Sequence, residues 1–417
     1  MKIYFKTYGC VLNRYETDIM KAIVKRQGME IADSEKDADV VVINTCTVKD
    51  ATEKKTIEYI KRLKASGKPI VIAGCMTVND YITSFNSPVI STRSIRYITD
   101  AIDDAIKGRA VFYDVDEEKS NLPIDMQVPI GRIAIQEGCT NKCTYCQTKL
   151  ARPKLMSLGT KRIVELIEEA KSKGAIEVDL TGTDVGAYGL DIGTNLSNLL
   201  ISISRAIKWP PYIRIGMANP HHVMRELKTL TYILRNPFYT FMHIPVQSGS
   251  DDVLKHMRRG YTARTFRYIV DTLKSSYDNI TIATDVIVGY PTESEEDFEK
   301  TIELIETTKP NIVNISKFSP RPGTEAAKLK QIERHIINKR SKELSEIVRR
   351  IAAKENEKLI GKEFPVIITE NGKNGTSKGR TEFYRQVIIK EKLPIGTRTN
   401  ITIDGITETS LIGKANI

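Results

Sequence analysis

Ile130-Gly131-Arg132-Ile133-Ala134-Ile135-Gln136-Glu137-Gly138-Cys139-Thr140-Asn141-Lys142-Cys143-Thr144-Tyr145-Cys146 joins a short apolar run to three cysteines spaced C-x3-C-x2-C. The run Ile130–Ile135 reads as a strand, and Gly138 ends it. One short loop of this kind can wrap three thiolates around three corners of a cubic iron–sulfur cluster, leaving the fourth iron without a protein ligand. An open coordination site suits a cluster that binds and activates a small molecule. Zinc is the competing reading, but closed zinc sites take four ligands. The histidines, His221, His222, His243, His256 and His335, are not close to the loop in sequence.

Working outward, alternation of strand and helix continues to about residue 320. Strand candidates are Ile130–Ile135, Ile176–Leu180, Tyr212–Ile215, Phe241–Val246, Ile280–Val288 and Val313–Phe318. Helical stretches separate them: Ile163–Lys173, Leu196–Ile207, Val223–Leu234, Asp252–Met257 with Ala263–Lys274, and Glu295–Thr307. Six parallel strands fall short of the eight of a closed barrel, so the expectation is a partial (β/α)6 barrel within 125–357. Residues 325–360 read as a long charged helix with Ile337, Leu344, Ile347 and Ile351 on one face.

Residues 1–110 show the same alternation on a smaller scale. Apolar runs at Ile3–Phe5, Val40–Ile43, Ile70–Ala73 and Val89–Ile90 alternate with helical stretches, which predicts a parallel sheet. Cys10, Cys46 and Cys75 each stand directly after one of the first three runs. Carboxyl ends of parallel strands line one edge, where ligand sites form, so these three cysteines are expected to converge on a second cluster. Buried structural cysteines are the competing reading. Residues 112–124 are polar and acidic and read as a linker. Residues 358–417 change to short β-type runs, Pro365–Thr369, Gln386–Ile389 and Thr399–Ile403, punctuated by glycine and proline. A small antiparallel β-barrel is expected there. The fold class is therefore α/β and multidomain.

These segments together resemble the methylthiotransferase family of radical S-adenosylmethionine enzymes. The resemblance rests on Thr7-Tyr8-Gly9-Cys10, Asn44-Thr45-Cys46, Gly74-Cys75, the Cys139–Cys146 loop, His243-Ile244-Pro245-Val246-Gln247-Ser248-Gly249-Ser250, Met257-Arg258-Arg259-Gly260-Tyr261-Thr262, Asp285–Glu293 and Phe318–Thr324. It spans nearly the whole chain and implies an N-terminal cluster domain, a radical S-adenosylmethionine core and a C-terminal TRAM domain. One departure is Ala151-Arg152-Pro153, where the family usually has glycine after the arginine. Leu180–Gly189 and Lys149-Leu150-Ala151-Arg152 are similar to the archaeal and eukaryotic tRNA branch. That branch converts N6-threonylcarbamoyladenosine beside the anticodon, at position 37, to its 2-methylthio derivative. Eukaryotic members carry a hydrophobic C-terminal anchor; this chain ends in polar sequence at Ile417, like the archaeal form.

The resemblance implies two [4Fe-4S] clusters and S-adenosylmethionine. The Cys139/Cys143/Cys146 cluster would bind and reductively cleave S-adenosylmethionine. The Cys10/Cys46/Cys75 cluster would hold the sulfur to be inserted, and a second S-adenosylmethionine would supply the methyl group. Tyr145, before the last cysteine, would lie against the adenine. Gly182, Arg214 and Gln247 stand at or near strand ends, where cofactor groups of such barrels collect, and are candidates for cofactor binding. A sulfur donor and a low-potential electron donor are implied partners.

The 417 residues carry a net charge of +11 and 28% charged residues. That composition excludes a collagen-like or disulfide-scaffold chain, and the apolar runs are too short to span a membrane. The N-terminus lacks a signal-peptide core, so a cytoplasmic location is expected. The basic surplus suits a polyanion. Residues 358–417 carry ten basic against six acidic side chains, with Phe383 and Tyr384 among them, as in small barrels that hold RNA. Methylthiolation of a ribosomal protein and a non-catalytic iron–sulfur RNA-binding protein are the alternatives. The latter fits less well, because electron-transfer clusters usually take four cysteines.

Overall fold

The computed structural model describes residues 1–48, 50–207 and 212–415. The N-terminal domain is an all-parallel sheet of β1 (Lys2–Thr7), β2 (Glu30–Ile31), β3 (Val40–Thr45), β4 (Ile70–Gly74), β5 (Val89–Ile90) and β6 (Phe112–Tyr113), in the order β2-β1-β3-β4-β5-β6. Helices α1 (Val11–Arg26) and α3 (Ile98–Ile106) cover one face and α2 (Asp50–Ala65) the other. Every residue of β3 and β4 is buried. That is why both read as unbroken apolar runs rather than alternating ones. The chain leaves β1 for β2 on one side, then returns to place β3 on the other. The strand order thus reverses between β1 and β3, the place where open α/β sheets build ligand sites. β6 lies in the stretch expected to be linker; Phe112 and Tyr113 pair with Val89 and Ile90 instead.

The central domain has six parallel strands: β7 (Ile130–Ala134), then, after the short antiparallel pair β8 (Gln136–Glu137) and β9 (Met156–Ser157), β10 (Glu177–Thr181), β11 (Tyr212–Ile215), β12 (Phe241–His243), β13 (Thr281–Val288) and β14 (Ile312–Lys317). They form two three-stranded halves joined by bridges Ile213–Phe238 and Met217–His243. The result is the expected partial barrel, open between β7 and β14. Its helices are α4 (Thr148–Ala151), α5 (Thr160–Ser172), α6 (Leu196–Ala206), α7 (Pro220–Ile233), α8 (Asp251–His256), α9 (Ala263–Ser276), α10 (Glu295–Thr308) and α11 (Arg334–Glu357). Val178, Leu180, Ile213, Ile215, Met242 and Ile282 share a core with helix residues such as Leu166, Leu199 and Phe266. Strand alternation turns Asp179, Arg214, His243 and Asp285 to the barrel interior. β12 stops at His243, short of the expected Val246, because Pro245 has no N–H to give a ladder.

The C-terminal domain is a closed barrel of β15 (Glu363–Asn371), β16 (Ser377–Thr381), β17 (Gln386–Ile389), β18 (Arg398–Ile406) and β19 (Leu411–Ala415). β16 and β19 were not expected. Ser377, Gly379 and Thr381 form the buried face of β16, so no apolar alternation marks it. A Cβ on Gly379 would sit 2.7 Å from the Ile367 carbonyl, so this close strand crossing takes glycine. The barrel docks on the amino ends of the central strands, where Ile367 joins Tyr212, Tyr239 and Phe241 in one apolar cluster. Among the described residues no helix is long and apolar enough to cross a membrane.

Candidate metal centre

β1, β3 and β4 are neighbours, and their carboxyl ends are level, with Thr7 opposite Asn44 and Thr45 opposite Gly74. Cys10, Cys46 and Cys75 are therefore delivered to one edge. The Asn13 side chain gathers them. Its amide donates to the carbonyls of Tyr8 (3.1 Å) and Thr45 (2.7 Å), and its Oδ1 accepts from Cys10 Sγ at 3.5 Å and Cys75 Sγ at 3.9 Å. Gly9 has φ +109°, and a Cβ there would lie 2.8 Å from the Cys46 Cβ, so the chain must pass close to Cys46 without a side chain. Burial pushes the Cys75 thiol up to about 12 and raises Cys46 as well. Metal binding at such a site must therefore displace protons.

In the central domain Gly138 turns the chain from β8 into the cysteine loop with φ +78°; a Cβ there would strike the Lys154 carbonyl. Cys139 Sγ accepts from Asn141 N (3.4 Å) and Nδ2 (3.3 Å). Cys143 Sγ accepts from Arg259 Nη1 at 3.2 Å. Arg259 is buried and held by Tyr261 and the Pro245 carbonyl. Asp184 faces Cys139 Sγ at 3.8 Å and is fixed by Asn219 N (3.0 Å) and His222 Nδ1 (3.0 Å). Burial, then the Asp184 charge, pushes Cys139 up to about 11. N–H donors and a guanidinium aimed at sulfur are the hydrogen bonds that iron–sulfur ligands receive. Among the described residues no three His, Cys, Asp or Glu side chains converge closely enough to hold a single metal ion. The three free thiols of each trio are the kind of donor set that an iron–sulfur cluster takes.

Of the expected cofactor residues, Tyr145 lies in this loop, Gly182 lies beside the strand that leads into it, and Gln247 stands two residues after Pro245, whose carbonyl holds Arg259. Tyr145 packs against the cluster of Val253, Met257, Tyr290, Phe318 and Ala326. Gly182 follows β10, where a Cβ would lie 2.9 Å from Gln136. Gln247 is buried with φ 71°, its N–H donating to the Asp285 carbonyl and its carbonyl accepting from Ile287. Arg214 is the one not brought to the loop. Its Nη1 lies 3.5 Å from Asp179, and its guanidinium stacks 5.4 Å from the rings of Phe241 and Tyr384. Phe383 and Tyr384 are not open to bases either: Phe383 lies in the C-terminal core, and Tyr384 packs on Tyr239 and Phe241.

Sequence reasoning missed the seam between the two domains. Thr47, next to Cys46, donates to Gln147, next to Cys146. Gln147 donates in turn to Asn79 (2.5 Å) and the Pro322 carbonyl (3.1 Å). Arg152, 2% exposed, makes a two-pronged pair with Glu16 (2.7 Å each) and bonds Glu137 at 2.9 Å; Lys119 bonds the same two acids. Burial pushes Glu16 up, but Arg152 and Lys119 outweigh it and hold the carboxyl at about 2. Arg321 adds a pair with Glu53. Thr47 and Gln147 carried a local signal only in their places beside Cys46 and Cys146.

Comparison with known proteins matches residues 2–89 to uncharacterized protein family UPF0004, 133–305 to the radical SAM superfamily and 357–415 to the TRAM domain. The chain is 38% identical to a probable threonylcarbamoyladenosine tRNA methylthiotransferase of Pyrococcus abyssi, over 99% of both chains. It is 38% identical to a protein of the same description from Archaeoglobus fulgidus, over 99% of this chain and 98% of that one. Identity to the threonylcarbamoyladenosine tRNA methylthiotransferase of Homo sapiens is 35%, over 93% of this chain and 69% of that protein. Among solved structures, the fold is shared with the radical S-adenosylmethionine methyltransferase TsrM of Kitasatospora setae (TM-score 0.59, 13% identity, 78% of this chain and 77% of that one). It is also shared with the cobalamin-dependent radical enzyme OxsB (TM-score 0.52, 12% identity, 84% of this chain and 56% of that one).

Proposed function

The chain belongs to the threonylcarbamoyladenosine tRNA methylthiotransferase family, and we propose that it converts N6-threonylcarbamoyladenosine of tRNA to the 2-methylthio derivative with two [4Fe-4S] clusters, one per cysteine trio. What supports this reading is the seam: the residue after Cys46 hydrogen-bonds the residue after Cys146, so a group held by one trio lies near a cofactor held by the other.

Carbon 2 of adenine carries a C–H bond that side-chain acids and bases do not break; when bound, the clusters and S-adenosylmethionine supply the electron, the radical, the sulfur and the methyl group. The chain's own residues position and enclose. Cys139, Cys143 and Cys146 hold one cluster, with Asn141 and Arg259 donating to their sulfurs. Cys10, Cys46 and Cys75 hold the second, with Asn13 fixing the chain around them. Tyr145, Gly182 and Gln247 line the space beside the first cluster. The paired Arg152, Glu16, Glu137 and Lys119 close the seam against water and fix the two trios relative to each other. A low-potential electron donor and a sulfur donor act as partners, and the cytoplasm, a reducing compartment, suits cysteines kept as iron ligands.

Mass analysis of tRNA nucleosides from the host with and without the protein tests the activity: loss of the methylthio nucleoside is expected. Reconstituted protein should carry about eight iron per chain. Cys10→Ala/Cys46→Ala/Cys75→Ala should still release 5′-deoxyadenosine and form no methylthio product. Normal product from that variant would refute the division of labour.

A further inference from the structure

Arg152, Arg321 and Arg340 are buried in or beside the central domain, and each pairs with a carboxylate: Arg152 with Glu16 and Glu137, Arg321 with Glu53, Arg340 with Glu293. Arg259, 6% exposed, does not. Its Nε donates to the Tyr261 hydroxyl (2.9 Å), its Nη2 to the Pro245 carbonyl (3.3 Å) and its Nη1 to Cys143 Sγ (3.2 Å). Among the described residues no acid pairs with it. A buried charge without a counter-charge is costly, and the one group in its reach that can become anionic is the Cys143 sulfur. The turn after α8 delivers it there. Arg258 has φ 56° and Gly260 φ 72°, which sends Arg258 outward to Glu325 (2.6 Å) and Arg259 inward. The same turn grips the cysteine loop: Thr144 N donates to the Met257 carbonyl (3.3 Å) and Thr144 Oγ1 to that of His256 (3.1 Å). At Cys139 the charge is reversed. Asp184 Oδ2 lies 3.8 Å from that sulfur and accepts from Asn141 Nδ2 at 3.2 Å.

We propose that Arg259 is a positioning residue that sets the reduction potential of the cluster held by Cys139, Cys143 and Cys146, with Asp184 acting in the opposite sense. The inference rests on the cluster reading above. One electron from the low-potential donor takes the [4Fe-4S]2+ core to [4Fe-4S]+. No bond forms or breaks, and the thiolate-bound core gains one negative charge. A guanidinium bonded to one ligand sulfur favours the more negative state, and a carboxylate beside another disfavours it. Net charge and hydrogen bonds to the sulfurs are the levers by which a protein tunes such a cluster. Tyr261 adds bonds to the Pro245 (3.0 Å) and Val246 (2.8 Å) carbonyls, so the cation is fixed in place before the electron arrives.

The experiment is a redox titration followed by electron paramagnetic resonance, on the full chain reconstituted with iron and sulfide and without S-adenosylmethionine. It is made on the two-cluster protein and again with Cys10→Ala/Cys46→Ala/Cys75→Ala, which isolates the barrel signal. Iron analysis comes first and should give about four iron per chain in the isolated form. Arg259→Gln should make the midpoint more negative by about 59 mV or more, a tenfold change in a one-electron equilibrium. Arg259→Lys should shift it less in the same direction, and Asp184→Asn should shift it the other way. A wild-type midpoint in iron-loaded Arg259→Gln would overturn the proposal. If S-adenosylmethionine then bound more weakly, Arg259 would be a cofactor contact instead. Shifts of one sign in Arg259→Gln and Asp184→Asn would also overturn it, since a disturbed loop and not charge would be the cause. If Arg259→Gln loses its iron, Arg259→Lys decides: a more negative midpoint supports the proposal and a wild-type one overturns it. An isolated form without iron would overturn the cluster reading and this proposal with it, a failure that the iron analysis tells apart from an unmoved midpoint.

Discussion

Arg152 shows how one side chain can matter more than its neighbourhood in sequence suggests. It stands before Pro153, and proline disfavours a helical conformation in the residue before it. Arg152 indeed leaves α4 at φ −134° and ψ 70°, which swings the guanidinium onto Glu16 of the other domain. Replacing it by methionine strands two buried carboxylates on Lys119 alone. Removing one partner of a buried pair costs about 3–5 kcal/mol, so urea unfolding of Arg152→Met should show a loss of that order; a change below about 1 kcal/mol would mean that the seam tolerates the unpaired acids. Gln247 makes the opposite case. Its left-handed φ of 71° costs on the order of 1 kcal/mol or more in a non-glycine residue. Gln247→Gly should be at least as stable as wild type and bind S-adenosylmethionine more weakly. Unchanged binding, measured by titration, would leave the strain without a functional reason. The six cysteines were legible because spacing and strand ends survive in a linear sequence. Asn13, Arg259 and Gln147 were not, because the contacts that tie them to the sites reach Thr45, Cys143 and Pro322, which lie 32, 116 and 175 residues away.

The elements that carry the cysteines depend on glycines at strand ends. Gly138 cannot become alanine without moving the Lys154 carbonyl or the loop itself, and its φ of +78° adds backbone strain. Gly138→Ala should therefore keep the N-terminal trio intact and lose the barrel cluster, so iron should fall from about eight to about four per chain. Full iron in that variant would show that the loop relaxes. At this scale strands with both faces covered were easy to read, as β3 and β4 show. β16 was not, since its inward side chains are Ser377, Gly379 and Thr381 and period-2 hydrophobicity is absent. β6 was missed because two residues at a sheet edge carry no periodicity.

The whole molecule is held by two polar junctions, one on each side of the central barrel, and the acids buried in them respond to pH in both senses. Glu16 is held at about 2, below its ordinary 4.5, so its contribution is present above pH 4.5 and lost only in strong acid. Glu177, at the junction with the C-terminal barrel, is raised to about 7 because burial outweighs the pull of Arg380. Tyr239 OH donates to it at 2.8 Å, but Arg380 Nε stands 3.4 Å away without a hydrogen bond. An acid with a raised folded value favours the folded state below pH 4.5 and loses that contribution as pH rises through about 7. At the interdomain face of α1, Asp18, raised to about 6 by burial against the pull of Arg132, adds to the same trend. The C-terminal barrel cannot simply be cut away to test this, because Tyr212, Tyr239 and Phe241 would be bared. The point variant Glu177→Gln keeps an acceptor for Tyr239 and removes the titration. Wild-type stability should fall by at most about 3 kcal/mol between pH 5 and 8 from this group, and hydrogen exchange in β12 and β16 should quicken with it. Glu177→Gln should flatten both profiles between pH 5 and 7. If the variant keeps the full wild-type pH dependence, the junction titrates through another group and Glu177 is held ionised by Arg380 after all.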